Sequence, residues 1–371
     1  MKDTKKTETY MSSRKLIVGI TQGDSNGIGY EVIIKALSDS RILDQFTPVI
    51  YGSSKLFGFY CKTIPEIGEP HTNSIKSPSE ARPGKINILE CLPDNVFAEP
   101  GKATPESARA AISALEAALR DVEVGDIDVL VTGPINKKAM SGQGFGFPGH
   151  TEYIQNAFGV RNALMFMVSQ RLKIGVVTGH IPLKEVPSHI TEEAILNKLR
   201  LMTESLRQDF CIDYPRIAVL SLNPHSGDGG LLGTEEQEII IPAIKKATEE
   251  GIMAFGPYSP DGFFGLGTYE KFDATLAMYH DQGLEPFKAI SFDDGVNFTA
   301  GLPVVRTSPD HGTAFELAGK DEANALSMRA AIFKAIDIYR NREAWQELQE
   351  NRMQEHEQEE TREHGRKPQI A

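Results

Sequence analysis

The sequence has few cysteines and no long apolar run. Its three cysteines, Cys61, Cys91 and Cys211, stand far apart, which excludes a disulfide framework and argues against a thiolate zinc site. We interpret Cys91 and Cys211 as buried small apolar residues, and a reducing, cytoplasmic location is the simplest setting for such a chain. No apolar run approaches the roughly 20 residues of a membrane-spanning helix, and residues 1–13 lack the apolar segment of a secretion signal.

The chain also lacks the excess positive charge of a nucleic-acid-binding or membrane-binding surface. Its 51 acidic residues outnumber its 39 lysines and arginines, for a formal net charge of -12, which argues against polyanionic partners. A local group of lysines and arginines can still hold a small anion. With 40% hydrophobic and 24% charged residues, the composition is that of a globular protein, and the length suffices for two domains with separate cores.

Apolar runs alternate with helical segments in the manner of βαβ units. We predict strands at residues 16–20, 47–52 and 128–131, and a helix at residues 31–37. Such alternation is typical of a mostly parallel sheet covered by helices. The glycine-rich turn at residues 23–29 is not a GxGxxG fingerprint, because its glycines fall at 23, 27 and 29. It is therefore a weak dinucleotide signal, and a tight strand-to-helix turn explains it at least as well.

Two further segments have helical character. Thr104-Pro105-Glu106 has the chemistry of a helix start, with Thr as the capping residue and Pro at the first helical position. Another helix is expected from Glu322 towards Tyr339. Beyond residue 345 the chain is mostly Gln, Glu and Arg, so residues 346–371 form a polar tail that is either a solvated helix or disordered.

Three histidines each follow an apolar run that we interpret as a strand: His180, His225 and His280. The carboxyl ends of strands in an α/β sheet open onto the ligand crevice, so these imidazoles are candidates for one catalytic metal site. A neutral imidazole suits Zn²⁺ or Co²⁺ and needs a neighbouring group to fix its tautomer, for which Asp281 and Asp228 are candidates. A lone histidine is more often structural than ligating, and only the group of three reverses that preference.

A second set of polar residues has the chemistry of an anion site. His150 and Thr151 follow a Pro-Gly pair at an expected helix start, where anions bind well, although a plain helix cap explains them equally. Lys288, Asn297 and Arg306 lie on successive elements. Lysine supplies a point charge and arginine a forked pair of donors. Because Arg306 ends an apolar run, a cleft explains it better than an ordinary charged surface does.

Short motifs at the ends of the expected elements carry a more specific signal. They are Thr132-Gly133-Pro134, Pro148-Gly149-His150-Thr151-Glu152, Asn223-Pro224-His225, Gly233-Thr234-Glu235-Glu236, Met278-Tyr279-His280-Asp281-Gln282-Gly283 and Arg306-Thr307-Ser308-Pro309-Asp310-His311-Gly312-Thr313-Ala314. Together they closely resemble the 4-hydroxythreonine-4-phosphate dehydrogenase family of pyridoxal phosphate biosynthesis. The motifs stand in family order, and the resemblance spans about residues 15–335.

The resemblance implies an α/β fold related to isocitrate and isopropylmalate dehydrogenases, with two α/β/α domains, mostly parallel sheets and an active-site cleft between the domains. We expect a discontinuous nucleotide-binding domain at residues 15–140 plus 300–345, and a metal-binding, substrate-binding and dimerisation domain at residues 141–299. The resemblance implies a homodimer whose active site lies at the subunit contact. It also implies a divalent metal, Zn²⁺, Mg²⁺ or Co²⁺, whose ligands come from both subunits: His180, His225 and His280.

The resemblance further implies which residues meet the substrate and the cofactor. Substrate contacts are expected from His150, Thr151, Lys288, Asn297 and Arg306. The loop expected to bind NAD or NADP consists of His311, Gly312, Thr313 and Ala314. The proton acceptor is left open between Asp261, Lys137 and a metal-bound hydroxide.

Such an enzyme would oxidise 4-phosphohydroxy-L-threonine to 2-amino-3-oxo-4-phosphooxybutanoate, a β-keto acid that decarboxylates to 3-amino-2-oxopropyl phosphate. Departures from the family pattern at Gly179, Glu285 and Asp293-Asp294 leave open a paralogous dehydrogenase of 4-phospho-D-threonate or 4-phosphoerythronate. Two alternatives come from other classes: a phosphotransacetylase-like acyl transferase and a non-catalytic metabolite-binding protein. The acyl transferase needs no three-histidine metal site, so metal content separates it from the dehydrogenases.

Overall fold

The computed structural model describes residues 14–68, 70–93, 95–147 and 149–364, with side chains up to residue 351. The expected N-terminal extension at residues 1–13, Pro148 of the Pro-Gly-His-Thr-Glu motif and the last seven residues of the expected tail lie outside the described residues.

The described strands form one continuous sheet of twelve strands. The strands are β1 (Ile17–Thr21), β2 (Thr47–Gly52), β3 (Thr72–Ile75), β4 (Ile86–Glu90), β5 (Val129–Thr132), β6 (Leu164–Val168), β7 (Lys173–Val176), β8 (Arg216–Leu220), β9 (Met253–Tyr258), β10 (Ala274–Ala277), β11 (Val296–Ala300) and β12 (Val305–Pro309). Their spatial order is β3-β4-β2-β1-β5-β12-β11-β6-β7-β10-β8-β9. The predicted mostly parallel α/β class is confirmed, and strands from both expected domains belong to this one sheet.

The exceptions to parallel pairing lie in the middle of the sheet. β11 pairs antiparallel with both β12 and β6, and β6 pairs antiparallel with β7. Residues 301–304 alone connect β11 to β12, and residues 169–172 alone connect β6 to β7. Connections this short can join only antiparallel neighbours, because a parallel crossover needs a dozen or more residues. On one side of the sheet lie β7, β10, β8 and β9. These strands therefore run opposite to those on the other side, which are β3, β4, β2, β1 and β5.

Helices cover both faces of the sheet. They are α1 (Gly29–Ala36), α2 (Ser54–Cys61), α3 (Pro105–Glu123), α4 (Lys137–Ser141), α5 (His150–Ala157), α6 (Val186–His189), α7 (Glu192–Gln208), α8 (Ile241–Glu249), α9 (Pro260–Gly265), α10 (His280–Ile290) and α11 (Leu326–His364). Residues of α1, α7 and α11 share one buried core cluster, whereas α3 and α10 pack in separate clusters against other strand residues. The alternation of side chains along each strand produces this division.

Side-chain alternation in β12 identifies the two faces. The Thr307 hydroxyl donates to the Ala331 carbonyl of α11 at 2.8 Å, so Thr307 faces α11. Its neighbour Arg306 consequently faces the opposite side, and we call that side the cleft face.

Several local predictions are confirmed. The strands at the start of the chain and the helix after the glycine-rich turn agree with the structure to within two residues. Thr104 caps α3, because its hydroxyl accepts from the Ser107 backbone N–H at 3.2 Å. The last predicted helix, expected from Glu322, begins at Leu326 and continues to His364, which favours the solvated helix over a disordered tail up to that residue.

The prediction of buried cysteines is wrong for Cys211. Cys211 is exposed and Cys91 half-buried, whereas Cys61 is buried. Cys211 lies just after α7 in a left-handed backbone conformation with φ 55°, in a loop rather than inside an element. Within the described residues, no helix combines the length and apolarity that crossing a bilayer requires.

Candidate active site

A cleft of about 280 Å³ opens over the cleft face in the middle of the sheet. Residues from β5, β6, β11 and β12, from the N-terminus of α5 and from α10 line it. The predicted site residues that line it are Lys137, His150, Thr151, His180, His280, Lys288, Asn297, Arg306, His311 and Gly312. Residues that stand far apart in sequence thus meet where β5 and β12 end, at the point where the sheet reverses direction.

Arg306 is a buried cation without a counter-ion. Its side chain is 2% exposed. Its Nε and Nη2 donate to Thr132 Oγ1 at 3.1 and 2.6 Å, and its Nη1 donates to Thr299 Oγ1 at 3.2 Å. No carboxylate of the described residues forms an ion pair with it. Burial lowers the pKa of Arg306 to about 10, with the charge of Glu152 opposing the shift, so the group stays charged at neutral pH. A buried, uncompensated guanidinium attracts an anionic ligand.

His150 lies beside Arg306 as a neutral imidazole. Burial, reinforced by the charges of Arg306 and Lys137, lowers the pKa of His150 well below its usual value. Its Nδ1 lies 3.5 Å from Arg306 Nη2. Because a guanidinium can only donate, Nδ1 is the acceptor, and the single proton of the neutral ring belongs on Nε2. His150 Nε2 is buried without a hydrogen-bond partner, so it can donate to a ligand.

Other polar atoms of the cleft share this unsatisfied state. Buried atoms without hydrogen-bond partners include His150 Nε2, Glu152 Oε2, Asn297 Oδ1 and His311 Nε2, and all four residues line the cleft. Buried polar atoms in folded proteins are nearly always paired. A group of them around one cavity therefore indicates a polar ligand that completes their hydrogen bonds.

His180 and His280 adjoin in this cleft, with ring centroids 5.4 Å apart. Each imidazole has a carboxylate next to Nδ1: Glu152 Oε1 lies 3.6 Å from that of His180, and Asp281 Oδ1 lies 2.7 Å from that of His280. The contact with His180 lowers the pKa of Glu152. Metal-binding histidines commonly use one ring nitrogen for such a carboxylate and the other for the metal. The pair thus fits part of a divalent metal site.

His225 lies in a different place. It lines a neighbouring recess of about 520 Å³ together with Asp261, Tyr279 and Asp281, which we call the His225 recess. In the described part of the chain, no three His, Cys, Asp or Glu side chains are grouped to hold a metal ion. The three strand-end histidines share one edge of the sheet, as predicted, but they do not converge on one point within a single chain.

An unusual backbone conformation explains the position of His225. Five successive residues, from His225 to Gly229, have positive φ values of 52°, 52°, 78°, 43° and 66°. The buried carboxylate of Glu236 secures the preceding segment, since Oε1 accepts from the backbone N–H groups of Leu222 and Asn223, both at 2.8 Å. Left-handed backbone is unfavourable for residues other than glycine and is concentrated at functional sites. The sequence indicated a turn here, but gave no signal for the left-handed run.

Lys288 and Asp310 form a second charged group in the cleft. Their Nζ and Oδ1 atoms lie 3.4 Å apart. Burial raises the pKa of Asp310, while Lys288 opposes that shift. Burial also lowers the pKa of the neighbouring His311. The sequence analysis assigned a role to Lys288 but none to Asp310 or Glu152, although both belong to motifs that it singled out.

The glycine-rich turn supports the cleft from behind. The Asp24 N–H donates to the Pro134 carbonyl at 2.8 Å, and the Ile28 N–H donates to the Thr313 carbonyl at 3.0 Å. A Cβ atom on Gly23 would lie 2.3 Å from the Pro134 carbonyl oxygen. The segment is therefore a tight packing turn that fixes the expected cofactor loop, of which His311 and Gly312 line the cleft.

The two candidate proton acceptors lie apart. Lys137, the first residue of α4, lines the cleft. Asp261 is exposed and lines the His225 recess, where hydrogen bonds from the Gly262 N–H and the Ser259 hydroxyl lower its pKa. Within one chain, only Lys137 is near the buried anion-binding groups.

Comparisons with known proteins show which sequences and structures the chain is similar to. A family model described as pyridoxal phosphate biosynthetic protein PdxA matches residues 44–335. The chain is 51% identical to the 4-hydroxythreonine-4-phosphate dehydrogenase of Bacteroides thetaiotaomicron over 334 residues, 90% of this chain and 91% of that protein. It is 40% identical to the enzyme of that name from a Sulfurihydrogenibium species, over 88% and 99% of the two chains. The crystal structure of the Klebsiella pneumoniae enzyme superposes with a TM-score of 0.76 at 32% identity, over 88% and 100% of the chains.

Proposed function

Because the chain belongs to the PdxA family of pyridoxal phosphate biosynthetic proteins, we propose that it is an oxidoreductase that dehydrogenates 4-phosphohydroxy-L-threonine. The product, 2-amino-3-oxo-4-phosphooxybutanoate, is a β-keto acid that loses CO₂ to give 3-amino-2-oxopropyl phosphate. The buried guanidinium of Arg306 beside the unpaired His150 Nε2 is the observation that carries this proposal, because together they provide the charge and the donors that a phosphorylated substrate requires.

The substrate would be held by cationic side chains and by hydrogen-bond donors that line the cleft. Arg306 supplies a fixed positive charge, and His150 Nε2–H adds a neutral donor at its side. Lys288 adds a second cation, and Asn297 and Thr151 contribute further polar groups on the cleft wall. Two anionic groups of one substrate, a phosphate and a carboxylate, match two separated cations. In this proposal the carbon that is oxidised faces His180 and His280, which line the same cleft.

His180 and His280 would hold a divalent metal, Zn²⁺, Mg²⁺ or Co²⁺, with His225 as the third ligand. Such a cation, when bound, would supply Lewis acidity that lowers the pKa of a substrate hydroxyl group. Glu152 and Asp281 orient the two imidazoles through Nδ1, so that Nε2 is the ring nitrogen left for coordination. NAD or NADP would accept the hydride, with His311, Gly312, Thr313 and Ala314 as the adjoining loop.

We propose that Lys137 or Asp261 accepts the proton of the substrate hydroxyl group. Lys137 lies in the same cleft as His150 and Arg306, whereas Asp261 accompanies His225. If the protein is a homodimer in which His225 of one subunit completes the site of the other, Asp261 enters with it. Exposed leucines near these residues support such a contact, since Leu183, Leu231 and Leu266 are 70%, 79% and 84% exposed.

Of the departures from the family pattern, Gly179 adjoins His180 beside the cleft, whereas Glu285, Asp293 and Asp294 do not line the cleft. Glu285 lines the His225 recess and not the cleft. Asp294 accepts from the Gln170 N–H at 3.0 Å, and Asp293 accepts from Asn324 Nδ2 at 3.5 Å. Asp293 and Asp294 thus have local structural partners outside the cleft, which favours the family substrate over a paralogous phospho-acid.

The test is NAD(P)H formation from 4-phosphohydroxy-L-threonine, with 4-phospho-D-threonate and 4-phosphoerythronate in parallel assays. We expect turnover with the first substrate, its loss on treatment with a chelator, and its return on addition of Zn²⁺, Co²⁺ or Mg²⁺. Faster turnover of either alternative compound would identify that compound, and not 4-phosphohydroxy-L-threonine, as the substrate. Undiminished turnover after complete metal removal would refute the metal-dependent mechanism.

A further inference from the structure

A second recess, of about 370 Å³, lies beside α7 and α11, and we call it the α7–α11 recess. Lys173 at the start of β7, Phe210 after α7, and Lys334 and Arg340 on α11 line it. Ligand-binding pockets typically have volumes of roughly 300–1,000 Å³. The recess is thus large enough for a small metabolite.

The recess lies on the opposite face of the sheet from the cleft. Ile174 packs in the cluster that contains Phe287 of α10, on the cleft face. Its neighbour Lys173 points to the other face, because successive strand side chains alternate. There its Nζ lies 5.4 Å from the centre of the Phe210 ring. A ligand in the recess cannot belong to the active site described above.

The cations that line the recess take part in no ion pair with another described residue. Among the described residues, neither Lys173, Lys334 nor Arg340 forms a hydrogen bond or an ion pair through its side chain. Two carboxylates also line the recess, those of Asp209 and Asp337. Asp209 is already satisfied by other groups, since Arg342 Nε and the Ser205 hydroxyl donate to it, both at 2.6 Å. Asp337 is exposed to solvent, which leaves the recess with three cations and one available carboxylate.

The positive charge of Lys334 acts on Lys173. Burial lowers the pKa of Lys173, and the charge of Lys334 lowers it further, while Asp273 opposes the shift. Both ammonium groups belong to half-buried residues that line the same recess. An anion between them would relieve both the repulsion and the desolvation.

We propose that the α7–α11 recess binds a small phosphate-bearing anion. Lys173 and Lys334 provide point charges, and the Arg340 guanidinium provides the forked donors that match phosphate oxygens. Phe210 forms an apolar wall against which the carbon part of a phosphate ester can pack. Because the recess and the cleft are on opposite faces, both can be occupied at once.

The test measures the reactivity of individual lysines in the full-length protein. The chain is acetylated briefly with and without inorganic pyrophosphate, and the extent at each lysine is read by peptide mass spectrometry. We expect pyrophosphate at millimolar or lower concentration to protect Lys173 and Lys334. Lys245, which is exposed and lines neither the cleft nor the α7–α11 recess, should react equally in both samples. Because the readout is specific to each lysine, pyrophosphate bound in the cleft does not confuse it.

Variants connect the protection to binding. In calorimetric titrations, Lys173→Met/Lys334→Met should weaken pyrophosphate binding at the recess at least tenfold and leave turnover intact. The matched control, Lys62→Met/Lys245→Met, removes the same net charge from exposed positions and should bind as the parent does. If the double variant does not fold, Lys334→Gln alone should show the same weakening to a smaller extent.

Three results would overturn the proposal. They are a lack of protection of Lys173 and Lys334 at any pyrophosphate concentration, equal weakening of binding in the control variant, and protection by citrate that equals or exceeds protection by pyrophosphate. The last would mean that the recess holds carboxylates or anions in general rather than phosphates.

Discussion

Replacement of Arg306 by alanine tests the anion-binding end of the cleft most directly. Its guanidinium carries five N–H groups, and three hydrogen bonds to Thr132 and Thr299 use part of them. The contact with His150 is long, at 3.5 Å. At least one donor and the whole positive charge therefore remain for the substrate.

The expected loss follows from this count. A hydrogen bond to a charged group contributes about 1.5–3 kcal/mol, which corresponds to a roughly ten- to hundredfold change in an equilibrium or rate constant. We expect Arg306→Ala to reduce kcat/KM by at least this factor, mainly through KM. Arg306→Lys keeps the charge but loses the fork that Thr132 and Thr299 hold in place, so its recovery should be partial.

The assay is the initial rate of NAD(P)H formation over a range of substrate concentrations. Thermal unfolding of each variant shows how much of any loss reflects stability, since Thr132 and Thr299 lose their donor in Arg306→Ala. Arg171→Ala is the matched control, because Arg171 is an exposed arginine that pairs with Glu270 on the surface. Unchanged kcat and KM in a folded Arg306→Ala protein would refute the role of Arg306 in substrate binding.

Three further predictions concern the histidines. Glu152→Gln should weaken metal retention roughly ten- to hundredfold, because His180 loses its orienting carboxylate; competition with a chromophoric chelator measures this, and unchanged retention would contradict it. The folded protein should lose stability as the pH falls below about 6.5, because the lowered pKa of His150 lets the unfolded chain bind a proton first. Thermal unfolding measured over a pH series should therefore show a smaller change of the unfolding temperature with pH in His150→Gln. An identical change in the variant and the parent would contradict this assignment. His180 and His280 adjoin in one chain, and in the proposed dimer His225 comes from the other subunit. Mixed dimers of His180→Ala and His225→Ala should therefore regain turnover, whereas mixed dimers of His180→Ala and His280→Ala should not. The reverse outcome would refute a site divided between the subunits in this way.

The sequence predicted elements well where local chemistry decides the structure. The Val/Ile run at residues 16–20 and the Thr104-Pro105 pair specify their elements through side-chain shape and hydrogen bonding alone. β3 escaped prediction, because Thr72-Asn73-Ser74-Ile75 offers no apolar alternation and depends on its neighbour β4 for pairing. The change in strand direction in the middle of the sheet was not predicted either, although it follows from two four-residue connections between neighbouring strands.

The candidate site divides in the same manner. The sequence indicated which residue types end the strands, and His150, Lys288 and Arg306 meet in one cleft as expected. It did not indicate how Glu152 is used, because a glutamate in the first turn of a helix is ordinary there. Only the fold, which brings the first turn of α5 next to the loop after β7, places this carboxylate beside His180.

The left-handed turn gives the clearest reason to expect a second subunit at the site. Left-handed backbone disfavours His225 and Ser226 by about 1–2 kcal/mol each, a substantial sum against a typical folding free energy of about 5–15 kcal/mol. Such strain persists only where the surroundings enforce it, and the buried Glu236 carboxylate does so from one side. Within a single chain the turn places His225 in the His225 recess, whereas His180 and His280 line the cleft. A turn held at this cost is explained if His225 reaches the histidine pair of another copy of the chain, and the exposed Leu231 directly after it would then be covered by that copy.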